Sequence, residues 1–72
     1  MKIISNLAIV MVKKKVRSKE LANAIELTEA NISLLKNDKA RGVRFSTLAG
    51  ICHFLDCQPG DLFEYVEEYE KE

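Results

Sequence analysis

Residues 17–37, RSKELANAIELTEANISLLKN, most narrow what this chain can fold into. Apolar residues at Leu21, Ala22 and Ile25 lie at helical spacing, Leu27 follows, and Ile32 and Leu35 resume three apart. Such a pattern makes two short amphipathic helices joined by a tight turn at Leu27. Thr28 is placed to cap the second helix, because its hydroxyl can accept a backbone N–H of the first turn that lacks a helical partner. Each helix buries one face. The other positions of the second helix, Glu29, Ala30, Asn31, Ser33, Leu34 and Lys36, present short polar groups with apolar ones among them.

The flanking sequence supplies elements to cover those faces. Ser5 is a candidate cap for a first helix over residues 6–14, whose core face is Leu7, Val10 and Met11. Ile9 and Val12 either widen that face or form an exposed apolar surface for a second chain. Either Arg17 or Ser18 starts the next helix. A fourth helix is expected over residues 45–56, with Leu48, Ile51, Cys52 and Leu55 at core spacing. Gly50 inside it costs about 1 kcal/mol in helix propensity, which close packing against a neighbour would explain. Pro59 suits the first turn of a short fifth helix ending near Leu62. Residues 1–4 and the alternating FEYVE of 63–67 suit two strands that pair the chain ends as a ribbon. The competing reading continues the last helix through Glu70.

Seventy-two residues with 47% hydrophobic content fit one small domain with a modest core, residues 1–72. No apolar run approaches the roughly 18 residues of a membrane span. The apolar run at residues 7–12 precedes Lys13, Lys14 and Lys15, the reverse of a secretory leader, so a cytoplasmic location is expected. Cys52 and Cys57 are then expected as free thiols packing as small apolar groups. With His53 they make only three metal donors at a spacing unlike zinc sites, so no metal and no cofactor are expected.

The net charge of zero conceals an asymmetry. Residues 1–44 carry ten Lys or Arg against four acids, a balance of +6, whereas residues 45–72 carry one Lys against seven acids, −6. A basic half of this kind favours a polyanionic partner. Enzyme chemistry has little to stand on. His53 has no nucleophile partner, Asp61 belongs to a helix start, and there is no phosphate-binding glycine loop.

The spacing Leu21-Ala22, Leu27-Thr28, Ile32, Leu35 and Asn37 resembles the Cro/CI-type helix-turn-helix family of phage and bacterial transcription regulators. Residues 39–45 (KARGVRF), Thr47-Leu48 and residues 55–62 (LDCQPGDL) follow in the order that family shows, so the resemblance spans about residues 5–66. It implies an all-α, five-helix lambda-repressor-like DNA-binding domain, with a short two-stranded ribbon joining its N- and C-terminal ends. The chain departs from the family pattern at three positions. Arg17 stands where Ser or Thr is usual, and Glu26 and Asp38 stand where relatives place glycine. Glycine there relieves a left-handed backbone; Asp tolerates that conformation better than most residues, whereas Glu26 must either bear the strain or sit in a slightly different turn.

The same resemblance puts base reading in the major groove on Glu29, Ala30, Asn31, Ser33 and Leu34, and phosphate contacts on Ser18, Asn37, Lys39, Arg41 and Arg44, with backbone N–H groups near Phe45. These side chains suit the task. Asn31 and Ser33 can donate and accept, Glu29 can accept from cytosine N4, and Ala30 or Leu34 can meet a thymine methyl. No arginine is present there to grip guanine. The expected protein is a DNA-binding transcriptional regulator, a repressor, working as a homodimer on an inverted repeat of double-stranded DNA. Phe63, Tyr65, Val66 and Tyr69 are its candidate dimer surface, and a regulatory protein partner is a further expectation. The alternative is a protein-interaction module, such as an antitoxin, anti-repressor or adaptor, that keeps the fold without binding DNA.

Overall fold

The computed structural model describes residues 1–67. In chain order they form β1 (Lys2–Ser5), α1 (Leu7–Lys14), α2 (Ser18–Ile25), α3 (Glu29–Lys36), α4 (Phe45–Leu55), α5 (Pro59–Leu62) and β2 (Phe63–Val66). The fold is therefore mostly helical with a small two-stranded ribbon, as expected. The strand reading of the C-terminal part prevails over a helix continued from α5. The strands run antiparallel, with Lys2 opposite Val66, Ile3 opposite Tyr65, Ile4 opposite Glu64 and Ser5 opposite Phe63.

The core takes side chains from all five helices. Leu7 and Met11 of α1, Leu21 and Ala22 of α2, Ile32 and Leu35 of α3, Ile51 and Leu55 of α4 and Leu62 of α5 are buried together. Val10, Ile25, Leu48 and Cys52 pack against this cluster as partly buried residues. Ile9 and Val12, by contrast, are 55% and 76% exposed. They do not widen the buried face of α1, because Leu7 and Met11, four apart, already fill the width that α1 turns inward.

Helix starts differ in detail from the expected caps. The N-cap of α1 is Asn6, and the Ser5 hydroxyl reaches across it to accept the Leu7 N–H at 3.3 Å. Arg17 takes the N-cap of α2 and Ser18 its first helical position. Arginine has no accepting side-chain atom, so that end is held from the other side: Glu20 Oε1 accepts the Arg17 N–H at 2.8 Å. Thr28 caps α3 as expected, its Oγ1 accepting from Asn31 N at 3.1 Å. Pro59 opens α5, where Asp61 Oδ2 accepts the Gln58 N–H at 2.9 Å.

Four of the five helix ends follow one rule, α5 alone passing straight into extended backbone at Phe63. Lys15, Glu26, Asp38 and Asp56 have φ of 59°, 59°, 60° and 55°, and no described glycine has positive φ. After each of them the next residue's N–H turns back to a carbonyl five positions earlier: Val16 to Met11, Leu27 to Ala22, Lys39 to Leu34 and Cys57 to Cys52, at 2.9 to 3.0 Å. This is the Schellman motif, which satisfies the last carbonyls and brings the two residues of each pair together. A left-handed residue other than glycine costs roughly 1–2 kcal/mol, and here four positions bear it. Gly50 has the packing reason expected of it: a Cβ there would lie 3.1 Å from Ile25 Cγ2, so α2 and α4 meet closely at that point.

Candidate nucleic-acid interface

The outward face of α3 carries all five expected base-reading residues. Glu29, Ala30, Asn31, Ser33 and Leu34 are exposed, while Ile32 and Leu35 of the same helix are buried and fix its rotation. Leu34, 45% exposed, is the large apolar group on this face.

The basic loop after α3 is tied to the same helix. The Leu34 carbonyl accepts the N–H groups of Lys39 at 2.9 Å and Ala40 at 3.2 Å, so the loop departs from a fixed point. Val43 and Ala40 then pack against the core, and Lys39, Arg41 and Arg44 remain exposed. One open groove results. Asn31 and Leu34 line it from α3, and Lys39, Arg41, Arg44 and Thr47 line it from the loop and the start of α4. It thus brings together two of the expected base-reading residues and three of the expected phosphate-binding ones.

The other two phosphate candidates are engaged locally. The Ser18 hydroxyl accepts from Lys36 Nζ at 3.1 Å, a bond that joins the start of α2 to the end of α3. Asn37 Nδ2 donates to Ser33 Oγ at 3.2 Å, so a base-reading candidate and a phosphate candidate hold each other's orientation. Neither bond exhausts its groups: Ser18 and Ser33 retain a hydroxyl proton, and Asn37 retains one amide N–H and its carbonyl.

Three residues at this surface were given no side-chain role in the sequence reading. Lys36 reaches Ser18, Thr47 lines the groove, and Phe45 opens α4 with 87% of its surface exposed. Phe45 and Thr47 follow directly after the arginine-bearing loop, which was the available signal. The Lys36 contact joins residues 18 positions apart and left no local sign.

Of the candidate dimer residues, Phe63 is half-buried and packs against the core, Val66 is half-buried, and Tyr65 is 56% exposed opposite the equally exposed Ile3. Tyr69 lies outside the described residues. Among the described residues no group of three or more His, Cys, Asp or Glu could hold a metal ion, and no helix is long and apolar enough to cross a membrane.

A capped helix with a polar outward face, set against a preceding helix and beside a fixed basic loop, is the architecture of a helix-turn-helix DNA-binding domain. Sequence comparison agrees: the model of the Cro/C1-type HTH DNA-binding domain matches residues 6–68, and the chain belongs to that family, one of DNA-binding proteins and not of enzymes. It is also similar to YozG of Bacillus subtilis (strain 168), an uncharacterized HTH-type transcriptional regulator. The two are 48% identical over 65 residues, which cover 90% of this chain and 77% of that one.

Proposed function

We propose that residues 1–72 form a single DNA-binding domain that regulates transcription by reading the major groove of double-stranded DNA with α3. The observation that carries this reading is the shared groove, in which Asn31 and Leu34 face Lys39, Arg41 and Arg44. Base edges are read by short side chains on a helix, while the affinity and the register come largely from phosphate contacts. Glu29, Ala30, Asn31, Ser33 and Leu34 read bases; Ser18, Asn37, Lys39, Arg41 and Arg44 hold phosphates. The similarity to a transcriptional regulator of Bacillus subtilis supports the regulatory role.

One copy of so small a surface binds weakly, so the working form is a homodimer on an inverted repeat, with the two reading helices about 34–36 Å apart in successive major grooves. Tyr65 and Val66 of the ribbon, with Phe63 and Tyr69, are the proposed contact between copies. The role is repression, exerted in the cytoplasm by occupying the operator.

A gel-shift titration against the DNA upstream of the protein's own gene, at two salt concentrations, tests this. Binding should weaken as salt rises, and the Arg41→Ala/Arg44→Ala pair should lower affinity and flatten the slope of log K against log salt by about 2. Absence of binding at low salt, or a double variant that binds like the parent, would overturn the reading and point to a protein partner.

A further inference from the structure

Cys52 and Cys57 are the one Schellman pair in the chain made of two thiols. In the motifs that end α1 and α2, the residues brought together are Met11 with Val16 and Ala22 with Leu27, ordinary apolar contacts of the core. At the end of α4 the same backbone places two half-buried cysteines in those roles. The Cys57 N–H donates to the Cys52 carbonyl at 3.0 Å across Asp56, whose φ and ψ are 55° and 59°. Standard bond lengths and trigonal angles at the carbonyl carbon and the amide nitrogen, joined through a near-linear hydrogen bond of that length, keep the two α-carbons within about 6.5 Å. A disulfide spans α-carbons roughly 4.4–6.8 Å apart.

We infer that Cys52 and Cys57 are a built dithiol modification site, which a low-molecular-weight disulfide converts into an intramolecular disulfide across the end of α4. The step balances by exchange. One cysteine thiolate attacks a sulfur of the oxidant, forming a mixed disulfide and releasing one thiol. The second cysteine attacks the protein sulfur of that mixed disulfide and releases the other thiol. One protein S–S bond forms, the oxidant's S–S bond breaks, and both cysteine protons leave on the two released thiols.

The groups around Cys57 set the pace. Burial, the neighbouring Cys52 and Asp61 of α5 all raise its pKa, and Lys14 of α1 opposes them. The Lys14 ammonium also donates to the Asp56 carbonyl at 3.5 Å. Cys57 is therefore a protonated, slow thiol at neutral pH, suited to equilibrium exchange with a thiol–disulfide pool and not to rapid capture of peroxide. The site also stands apart from the DNA-reading groove, since Cys57 lines a different one with Lys14 and Asp61. Oxidation here staples the turn from α4 into α5 without altering a base-reading or phosphate-binding residue.

The test equilibrates the full chain with glutathione buffers of graded ratio, in native conditions and in denaturing urea, followed by acid quenching, alkylation and mass measurement. The native chain should accumulate a monomer about 2 Da lighter with no alkylatable thiol. At a fixed buffer ratio its oxidised-to-reduced ratio should exceed that of the urea-unfolded chain by about tenfold or more, because folding has already brought the ends together. Cys52→Ser and Cys57→Ser should each leave only a glutathione adduct. A native ratio equal to or below the unfolded one would overturn the proposal. So would disulfide-linked pairs of chains, or adducts on both cysteines in place of the internal bond. None of these readouts depends on DNA binding.

Discussion

Asp38 Oδ1 accepts the backbone N–H of Ser5 at 2.6 Å, a bond between the turn that ends α3 and the last residue of β1. α3 and the ribbon are thereby coupled, although 33 positions separate the two residues. Asp38 also occupies the left-handed position that ends α3, with φ of 60°. Asp38→Ala should cost about 1–2 kcal/mol in urea denaturation, from the lost charge-assisted bond and the added backbone strain. Asp38→Asn keeps an acceptor and tolerates the backbone, so it should cost less. Equal losses for the two would show that neither a neutral acceptor nor left-handed tolerance at this position offsets the loss of the carboxylate.

Glu26 has nearly the same backbone, with φ of 59°, but its hydrogen bonding there is made by its N–H, which donates to Ala22 O. Glu26→Gly should relieve the left-handed strain and, after the added chain entropy of glycine, stabilise the domain by about 0.5–1 kcal/mol. Asp38→Gly should do the reverse despite the matching φ, because it also removes the acceptor for Ser5. Thermal melts of the two variants should move in opposite directions.

At Gly50 the constraint is space. A Cβ would meet Ile25 Cγ2 at 3.1 Å. Gly50→Val should therefore destabilise by about 1–3 kcal/mol through overpacking of α2 against α4, more than helix propensity returns. Ile25→Ala removes the atom in the way. The double variant should lose less than the two single losses combined, as a double-mutant cycle would register.

These residues also mark how much was legible in the sequence. Thr28, Ile32 and Leu35 disclosed the start and rotation of α3 because capping and helical periodicity are local signals. Gly50 disclosed a close approach, although not that Ile25 was the neighbour. The alternation of residues 63–67 disclosed a strand, which pairs with β1 as expected. Local reasoning misplaced Ser5 as the cap of α1 by one position, since a hydroxyl can serve a helix from either side of its true start, and it left the start of α2 open between Arg17 and Ser18. It left Ile9 and Val12 open, because apolar residues are common on protein surfaces and only the assembled packing decides their side. The bonds from Lys36 to Ser18 and from Ser5 to Asp38 are tertiary, and nothing local announces them.

The raised pKa of Cys57 makes a prediction for alkaline stability. Burial, then Cys52 and Asp61, hold the thiol above its ordinary value of 9.0, so the folded state favours the protonated form. That contribution is complete below the unfolded pKa and is lost as pH rises through the folded one. The reduced protein should thus lose stability above about pH 9, and Cys57→Ser should remove part of that slope while leaving the profile near pH 7 parallel. A variant whose alkaline slope matches the parent would remove the linkage.

Phe45 is the residue whose position asks most plainly for a partner. It begins α4 with 87% of its surface exposed, directly after Arg44 and two residues before Thr47, both of which line the groove beside α3. If the arginines hold phosphates as proposed, an aromatic ring so placed can lie against the deoxyribose of the same strand. Phe45→Ala should leave unfolding within about 0.5 kcal/mol of the parent, as expected of an exposed position. It should weaken DNA binding several-fold at every salt concentration with the salt slope unchanged, since no charge is lost. That separates it from Arg44→Ala, which should flatten the slope by about 1. Phe45→Trp supplies a direct signal, because the chain contains no other tryptophan. Its fluorescence should shift on addition of operator DNA, and an emission spectrum indifferent to saturating DNA would place the ring outside the interface.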